Sequence, residues 1–251
     1  MWRMVPPLIE QRLKTAIQGV FHRVGLDIRR QAGSLIGLRC RLLKSGAITV
    51  VIDVGANIGQ YGRAVRRCGY GGRIVSFEPL PDAYTSLVRS ARHDRRWEHH
   101  NLALGKRDGN ITINVSANSV SSSALPILKS HLDAAPNSVY TGAVVAKLRR
   151  LDTLGNQLVE PADRVWLKLD VQGLESDVLA GANRTLEQVA GIEAELSLVP
   201  LYQDQELFYE VSGHLYSRDF VCAFVEPEFA DSRSGHMLAI NALFLRTEAF
   251  S

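Results

Sequence analysis

Residues 51–59 read Val51-Ile52-Asp53-Val54-Gly55-Ala56-Asn57-Ile58-Gly59. The β-branched residues before the first glycine predict a buried strand over residues 47–54. The glycine-rich segment after it predicts a tight turn, because glycine lets the backbone turn sharply and approach a ligand closely. A helix is expected over residues 60–68. In a parallel sheet, a turn of this kind lies at the carboxyl ends of the strands, where ligands bind.

A second feature is an acid at the end of the next predicted strand, Arg73–Phe77. Glu78 follows Gly59 by 19 residues and precedes Pro79. An acid at this spacing in a βαβ unit accepts hydrogen bonds from both ribose hydroxyls of an adenosine. The plainer alternative is a tight strand–helix turn whose acid caps the helix.

The turn discriminates between two nucleoside cofactors. A dinucleotide requires Gly-x-Gly-x-x-Gly, which opens a helix N-terminus to the pyrophosphate. Here Asn57 replaces the middle glycine, and the last two positions are one residue too close together. Asp53 would place negative charge near a pyrophosphate, whereas it suits a sulfonium with an amino acid tail. The residues therefore favour S-adenosylmethionine over NAD.

Strand-like and helix-like segments alternate along the chain after residue 47. This alternation predicts an α/β protein with a mainly parallel sheet and helices on both faces. Residues 116–140 are rich in Ser, Asn and Pro and predict a long loop, a feature that often forms a lid or binding loop. The further predicted strands are Glu98–Leu104, Ile111–Val115, Val165–Leu169, Gly191–Leu198, Val221–Val225 and Ala239–Leu245.

The composition excludes several classes of protein. The 251 residues are 46% hydrophobic and 22% charged, so the chain can build a core that disordered chains and mini-protein scaffolds lack. The net charge of +3 is too small to indicate nucleic acid binding. Cys40, Cys68 and Cys222 are far apart and lack metal-ligand spacing, which predicts reduced thiols in a cytoplasmic protein. No apolar run reaches the ~18 residues that a membrane span requires.

Residues 1–46 predict a basic helical extension before a main domain at residues 47–251. The first 45 residues carry nine Lys and Arg against two acids, and Ile9, Leu13 and Ile17 begin an apolar stripe at helical spacing. One interpretation is an amphipathic helix that contacts an anionic membrane at its inner face, or the acyl chain of a substrate. The favoured interpretation is a helix packed on the domain with a solvated basic face.

Five segments, in order and spanning residues 47–246, resemble the FkbM-type methyltransferase family. They are Asp53–Gly59, Phe77-Glu78-Pro79, Leu102–Gly105, Leu167–Glu175 and Asn241–Phe244, where Asn241 stands in place of a frequent Asp. The resemblance implies a class I, Rossmann-like fold with a seven-stranded sheet, S-adenosylmethionine as cofactor, and O-methylation. The acceptors it implies are sugar or polyketide hydroxyls in natural products, glycolipids and surface polysaccharides. The residues expected at the cofactor are Asp53, Gly55, Ala56, Asn57, Gly59, Glu78, Pro79, Ala103, Leu104 and Asp170.

The acceptor side is expected around Asp170, which follows the predicted strand Val165–Leu169. A carboxylate there can take the proton of an attacking hydroxyl or orient it, and the plainer alternative is an acid that caps the next helix. Glu195 is expected beside it, so the two acids can bind a sugar diol or hold Mg²⁺ through waters. The metal is not favoured, because no compact ligand motif is present.

Other side chains complete the list of candidates. His214 is the candidate for a separate general base, by its chemistry alone. Lys168 is expected to pair with an acid. Candidates to line the acceptor pocket or contact the cofactor are His131, His236 and Ser121-Ser122-Ser123.

Three other functions compete with O-methylation. N-methylation of a small amine is disfavoured, because Asp170-Val171-Gln172-Gly173 replaces the Asn/Asp-Pro-Pro-Tyr/Phe turn that is usual for planar amines. An inactive binding or scaffold subunit should have lost residues such as Gly55 or Glu78, and both are present. A dehydrogenase is disfavoured by the glycine spacing. The expected partner is a small-molecule or glycolipid acceptor and not nucleic acid, while a homodimer stays open.

Overall fold

The computed structural model describes residues 34–45 and 47–250 of the chain. The chain divides into two compact units, residues 1–38 and 39–251. The apolar stripe that begins at Ile9, Leu13 and Ile17 lies outside the described residues, and the domain boundary expected at residue 46 stays a prediction. None of the described helices has both the length and the hydropathy needed to cross a bilayer.

Ten strands and seven α-helices make up the described part of the chain. The strands are β1 (Val50–Val54), β2 (Arg73–Phe77), β3 (Trp97–His100), β4 (Ala103–Leu104), β5 (Gly109–Ser116), β6 (Tyr140–Arg149), β7 (Val165–Leu169), β8 (Val189–Ser197), β9 (Phe220–Ala230) and β10 (Met237–Arg246). The α-helices are α1 (Leu35–Lys44), α2 (Gln60–Arg67), α3 (Pro81–Ala91), α4 (Lys129–Ala134), α5 (Leu151–Leu158), α6 (Glu175–Ala180) and α7 (Phe208–Tyr216). Short 3₁₀ turns lie at Pro136–Ser138, Thr185–Gln188 and Thr247–Phe250.

The main sheet has seven strands in the order β3-β2-β1-β7-β8-β10-β9. All neighbours from β3 to β8 pair in parallel, and β10 pairs antiparallel with both β8 and β9. The predicted seven-stranded, mainly parallel sheet is therefore confirmed. The strand order reverses direction at β1, which places the carboxyl ends of β1 and β7 at a crevice suited to a ligand.

Helices cover both faces of this sheet. On one face Ile52, Leu167 and alternate residues of the neighbouring strands form the main core with residues of α5, α6 and α7. On the other face Gly62 of α2 lies against the ring of Trp97, where a Cβ would come within 2.2 Å of it. Burial on both faces explains why the parallel strands read as continuous apolar runs.

A second, three-stranded sheet departs from the prediction. Its order is β4-β6-β5, and β6 is a ten-residue strand that the sequence pattern did not predict. Residues 141–143 of β6 are exposed Thr, Gly and Ala, so the apolar alternation that marks a half-buried strand is weak there. The strand expected at Glu98–Leu104 is also broken, into β3 in the main sheet and β4 in the small one.

The prediction that all three cysteines are reduced is wrong, because two of them form a disulfide. Cys40 of α1 and Cys68 at the end of α2 form a disulfide, with their Cα atoms 5.0 Å apart, and Cys222 is free. The two cysteines are 28 residues apart in sequence, and only the packing of α1 against the end of α2 brings them together. Disulfides are rare in cytosolic proteins, so the cysteines no longer support a cytoplasmic location.

We expect thiol labelling to detect this bond. In denaturant without reductant, iodoacetamide should modify one cysteine per chain, and after reduction it should modify three, as counted by intact mass spectrometry. Cys40→Ser should lower the free energy of unfolding by about 3–4 kcal/mol, because the bond closes a loop of this length in the unfolded chain. Cys222→Ser is the control and should leave stability nearly unchanged. Labelling of three cysteines without reductant would show that the pair is reduced.

Candidate active site

A cavity of ≈420 Å³ lies at the carboxyl ends of β1, β2, β7 and β8. Its volume is within the ~300–1,000 Å³ typical of small-molecule sites. The residues that line it include Gly55, Asn57, Glu78, Asp170, Gln172 and Glu195, so the two predicted halves of the site open into one space. Pro79, Ala103 and Leu104 also line it, together with Leu102 of the same segment. Gln60 and Leu80 line it too, and neither was a candidate from the sequence.

The turn after β1 is built against the end of β7. Gly55 has φ +78°, and a Cβ there would lie 1.9 Å from the carbonyl oxygen of Asp170. The Gly55 N–H donates to Phe77 O at 3.0 Å, and the Asp170 N–H donates to Val54 O at 3.1 Å. Only glycine fits this position, because any side chain would meet the backbone of the neighbouring strand.

Glu78 presents a buried carboxylate at the end of β2. Its Oε2 accepts the Asn57 N–H at 2.7 Å, and its Oε1 accepts the Leu80 N–H at 2.8 Å. Burial raises the pKa of Glu78 to about 7, against the effect of these two hydrogen bonds. Each oxygen keeps a second lone pair, so Glu78 can accept two further hydrogen bonds from a ligand in the cavity.

Three of the predicted cofactor residues shape the turn and do not line the cavity. Asp53 is buried in the sheet, where Ser76 donates to its carboxylate at 3.0 Å and Trp97 donates to Ser76. Ala56 donates its N–H to Phe77 O at 2.9 Å, and Gly59, at φ +81°, begins α2. Burial raises the pKa of Asp53 to about 7.

The other end of the cavity carries three acids and an amide. Gln172 Nε2 donates to Asp170 Oδ1 at 2.9 Å and lies 3.4 Å from Glu195 Oε1. The hydroxyl of Tyr202 donates to Gln172 Oε1 at 2.7 Å, which fixes the orientation of the amide. Glu228 of β9 joins this end, and Asn241 donates to its carboxylate. Gln172 stands in the segment Leu167–Glu175 but was given no role from the sequence. Glu228 was not identified, because it lies far from Asp170 along the chain and in no recognised motif.

Lys168 is a buried cation beside these acids. Its Nζ lies 3.8 Å from Asp170 Oδ2, so the expected pairing with an acid is confirmed. Burial opposes the charge of Lys168, yet the nearby carboxylates, Asp170 foremost, hold the pKa of its ammonium above the ordinary value. Burial, with the charge of Asp170 beside it, raises the pKa of Glu195 well above the usual range.

The loop predicted over residues 116–140 covers the cavity. Ser121, Ser122 and Ser123 line it, and Ser123 Oγ donates to Gln172 O at 2.6 Å. His131 of α4 also lines the cavity, with its ring centroid 5.2 Å from that of Tyr202 and 5.3 Å from that of Phe229. The segment therefore contacts the end of the cavity that holds Gln172 and Tyr202, although its sequence has little periodicity.

Two histidines are not brought to this site. His214 lies on α7 with its Nε2 3.2 Å from Glu206 Oε2, and its side chain is 64% exposed. It does not line the cavity that holds Asp170 and Glu195. His236 is exposed before β10. Geometry therefore gives no support to His214 as a general base, which was chosen on residue chemistry alone.

The described residues include no group of three or more His, Cys, Asp or Glu side chains placed to hold a metal ion. The alternative of Mg²⁺ held through waters by Asp170 and Glu195 needs only two side chains and stays a prediction.

The sheet order and the cavity at the carboxyl ends of its strands define a class I methyltransferase fold. The family model described as methyltransferase FkbM domain matches residues 53–222, and the chain belongs to this family. Its relative 2-O-methyltransferase NoeI of Sinorhizobium fredii (strain NBRC 101917 / NGR234) is 27% identical over 224 residues, 86% of this chain and 88% of that protein.

A solved structure of the methyltransferase FkbM from Methylobacillus flagellatus KT superposes with a TM-score of 0.50 at 13% identity. The match covers 91% of this chain and 51% of that one, so the chain spans about half the length of that protein. At this identity the likeness concerns the fold alone.

The contact at Gly55 generates a stability prediction. Gly55→Ala should lower the free energy of unfolding by more than ~1 kcal/mol, because the new methyl group meets the Asp170 carbonyl and φ is positive. The matched control is Gly213→Ala on α7, where a Cβ has open space and helix propensity should add about 1 kcal/mol. Urea denaturation measures both. Equal effects of the two substitutions would mean that β1 and β7 do not meet as described.

Proposed function

We propose that this protein is an S-adenosylmethionine-dependent O-methyltransferase that acts on a sugar hydroxyl of a glycolipid, polysaccharide or other natural product. One observation carries the proposal. A single cavity has a buried carboxylate with spare acceptor capacity at one end, Glu78, and the cluster of Asp170, Gln172, Glu195 and Glu228 at the other. The first end suits a nucleoside and the second a polyhydroxylated acceptor.

The cofactor end fits S-adenosylmethionine. Glu78 accepts only two backbone N–H groups and has no ion-pair partner among the described residues, so a ribose diol satisfies its remaining lone pairs. Leu80, Leu102 and Leu104 supply an apolar wall for a base, and the backbone at Gly55 is open for close approach. When bound, the cofactor supplies a methyl group on a sulfonium, which is an electrophile towards a hydroxyl.

At the acceptor end the protein positions the hydroxyl and takes its proton. Asp170 is held by the Gln172 amide and lies beside Lys168, so its carboxylate is oriented before the acceptor arrives. The Asp170 carboxylate would accept the proton of the hydroxyl as its oxygen takes the methyl group, and the broken carbon–sulfur bond would leave a neutral thioether. Phe229 and His131 line the same space and exclude water from the reacting oxygen.

The charges at this end favour a neutral acceptor. This end holds three carboxyl groups and one ammonium. The carboxyl groups belong to Asp170, Glu195 and Glu228, and the ammonium belongs to Lys168. A phosphate or carboxylate next to the methylated hydroxyl would be repelled, whereas a diol or an amino group would find acceptors. The relative described as a 2-O-methyltransferase is in accord with transfer to oxygen.

The cofactor assignment predicts a pH-dependent affinity. Hydrogen bonds from ribose hydroxyls favour the ionised form of Glu78, whose pKa is about 7 in the free protein. The affinity for S-adenosylhomocysteine should therefore rise about tenfold from pH 6 to pH 8, with protons released on binding at pH 7. Isothermal titration calorimetry in buffers of different ionisation enthalpy measures both quantities.

Substitutions at Glu78 show whether the pH dependence of the affinity comes from Glu78 or from other buried acids. Glu78→Ala should abolish measurable binding, and Glu78→Gln should bind more weakly and lose most of the pH dependence. Glu187→Gln, an exposed acid in a 3₁₀ turn, is the matched control. Wild-type affinity in Glu78→Ala would overturn the assignment of the cofactor site.

The acceptor assignment is tested by methyl transfer from radiolabelled S-adenosylmethionine to methyl glycosides. The panel contains neutral hexoses, deoxyhexoses, amino sugars, uronic acids and sugar 6-phosphates. We expect transfer to neutral or amino sugars, none to the anionic ones, and a loss of at least ~100-fold in Asp170→Asn with the affinity for S-adenosylhomocysteine kept. Transfer only to amines, or full activity of Asp170→Asn, would contradict the proposal.

A further inference from the structure

Arg39 of α1 supplies a buried cation to the core of the second compact unit. It is 6% exposed, and its Nη1 lies 2.7 Å from Glu193 Oε1 on β8. Its guanidinium also lies over the ring of Tyr61, 4.8 Å from the centroid. Arg39 precedes residue 53, where the family match begins, so it comes from the segment that the family motifs do not cover.

The partner of Arg39 belongs to a polar row that crosses the sheet. Asp53 of β1, Lys168 of β7 and Glu193 of β8 occupy paired positions on three adjacent strands, and all three are buried. Glu193 also accepts the Tyr61 hydroxyl at 2.9 Å, and Trp166 donates to the Tyr61 oxygen at 2.9 Å. Lys168 thus has an acid on each side of it in the row, Asp53 and Glu193, and a third acid, Asp170, towards the cavity.

More carboxyl groups surround Lys168 than one ammonium can neutralise. The acids that act on it lie on β1, on β8 and β9, on α6 and at the end of β7: Asp53, Glu193, Glu195, Glu228, Glu175 and Asp170. Arg39 is the second cation of this cluster, and it satisfies Glu193 directly. Without Arg39, Glu193 would be a buried anion on the strand position beside Lys168, and it would compete with Asp170 for that ammonium.

We propose that Arg39 is a positioning residue for methyl transfer. By neutralising Glu193, it leaves the Lys168 ammonium to Asp170 and Glu195 at the acceptor end, so the segment before the family domain sets the charge of the site. The catalytic consequence rests on the proposed function, whereas the electrostatic coupling does not.

A charge cycle tests the coupling without any acceptor. The variants are Arg39→Met, Glu193→Gln and the double substitution, and the readout is the ¹³C NMR titration of the Glu195 carboxyl in full-length protein. Arg39→Met removes a positive charge, so the midpoint should move to higher pH by at least ~0.5 unit. Glu193→Gln should move it to lower pH, and the double variant should return it close to that of the wild type. Arg39→Lys, which keeps the charge, should move it least.

The same variants connect the coupling to turnover, with kcat and its pH profile measured on the best glycoside of the panel. Arg39→Met should lower kcat at least ~5-fold and move the acidic limb of the pH profile to higher pH, while the affinity for S-adenosylhomocysteine stays within twofold. The double variant should restore both kcat and the position of this limb. If Arg39→Met does not fold, the displacement of the Glu195 midpoint in Glu193→Gln still measures the coupling, and Arg39→Lys is the control that keeps the charge.

Two results would overturn the inference. One is an unmoved Glu195 titration in every variant, with only the melting temperature changed, which would assign Arg39 a structural role. The other is a double variant as defective as Arg39→Met, which would mean that Arg39 does not act through Glu193. Failure of methyl transfer on the whole panel would count against the proposed function and leave the titration result standing.

Discussion

The contact between the turn after β1 and the end of β7 is the constraint on which the site depends. A Cβ on Gly55 would lie 1.9 Å from the Asp170 carbonyl oxygen, so the two strand ends meet with no room for a side chain. The same contact places the glycine turn beside Asp170. One backbone approach therefore brings the turn after β1 and the Asp170 carboxylate to the same cavity.

The site keeps buried acids that the fold alone would not require. Burial raises the pKa of Glu78 to about 7, and it raises the pKa of Glu195 well above its ordinary range. A buried carboxylate without enough partners costs stability, and such groups concentrate where a ligand completes them. Cations offset only part of this cost, since Lys168 is shared among several acids and Arg39 pairs with Glu193. Loss of either cation would leave a buried carboxylate without its partner.

Features that depend on a few neighbouring residues could be predicted from the sequence, whereas features that depend on long-range packing could not. The strand at β1, the turn at Gly55 and the acid at Glu78 were predictable, because side-chain period and glycine content act within a few residues. Strand β6 was not, because its exposed small residues weaken the alternation, and its partners β4 and β5 lie outside the main sheet. His214 was a candidate through its chemistry, and the packing of α7 places it outside the cavity.

The sequence by itself determined the class of fold, the family and the position of the glycine turn after β1, since these depend on short segments with specific residue types. Only the tertiary structure decided which distant side chains meet. Gln172 bridges Asp170 and Glu195, Glu228 reaches the cavity from β9, and Arg39 contacts Glu193 across 154 residues of chain. These contacts depend on strand order and on how helices pack across the sheet. Spacing along the chain does not encode that order, because loops of many lengths can join the same strands.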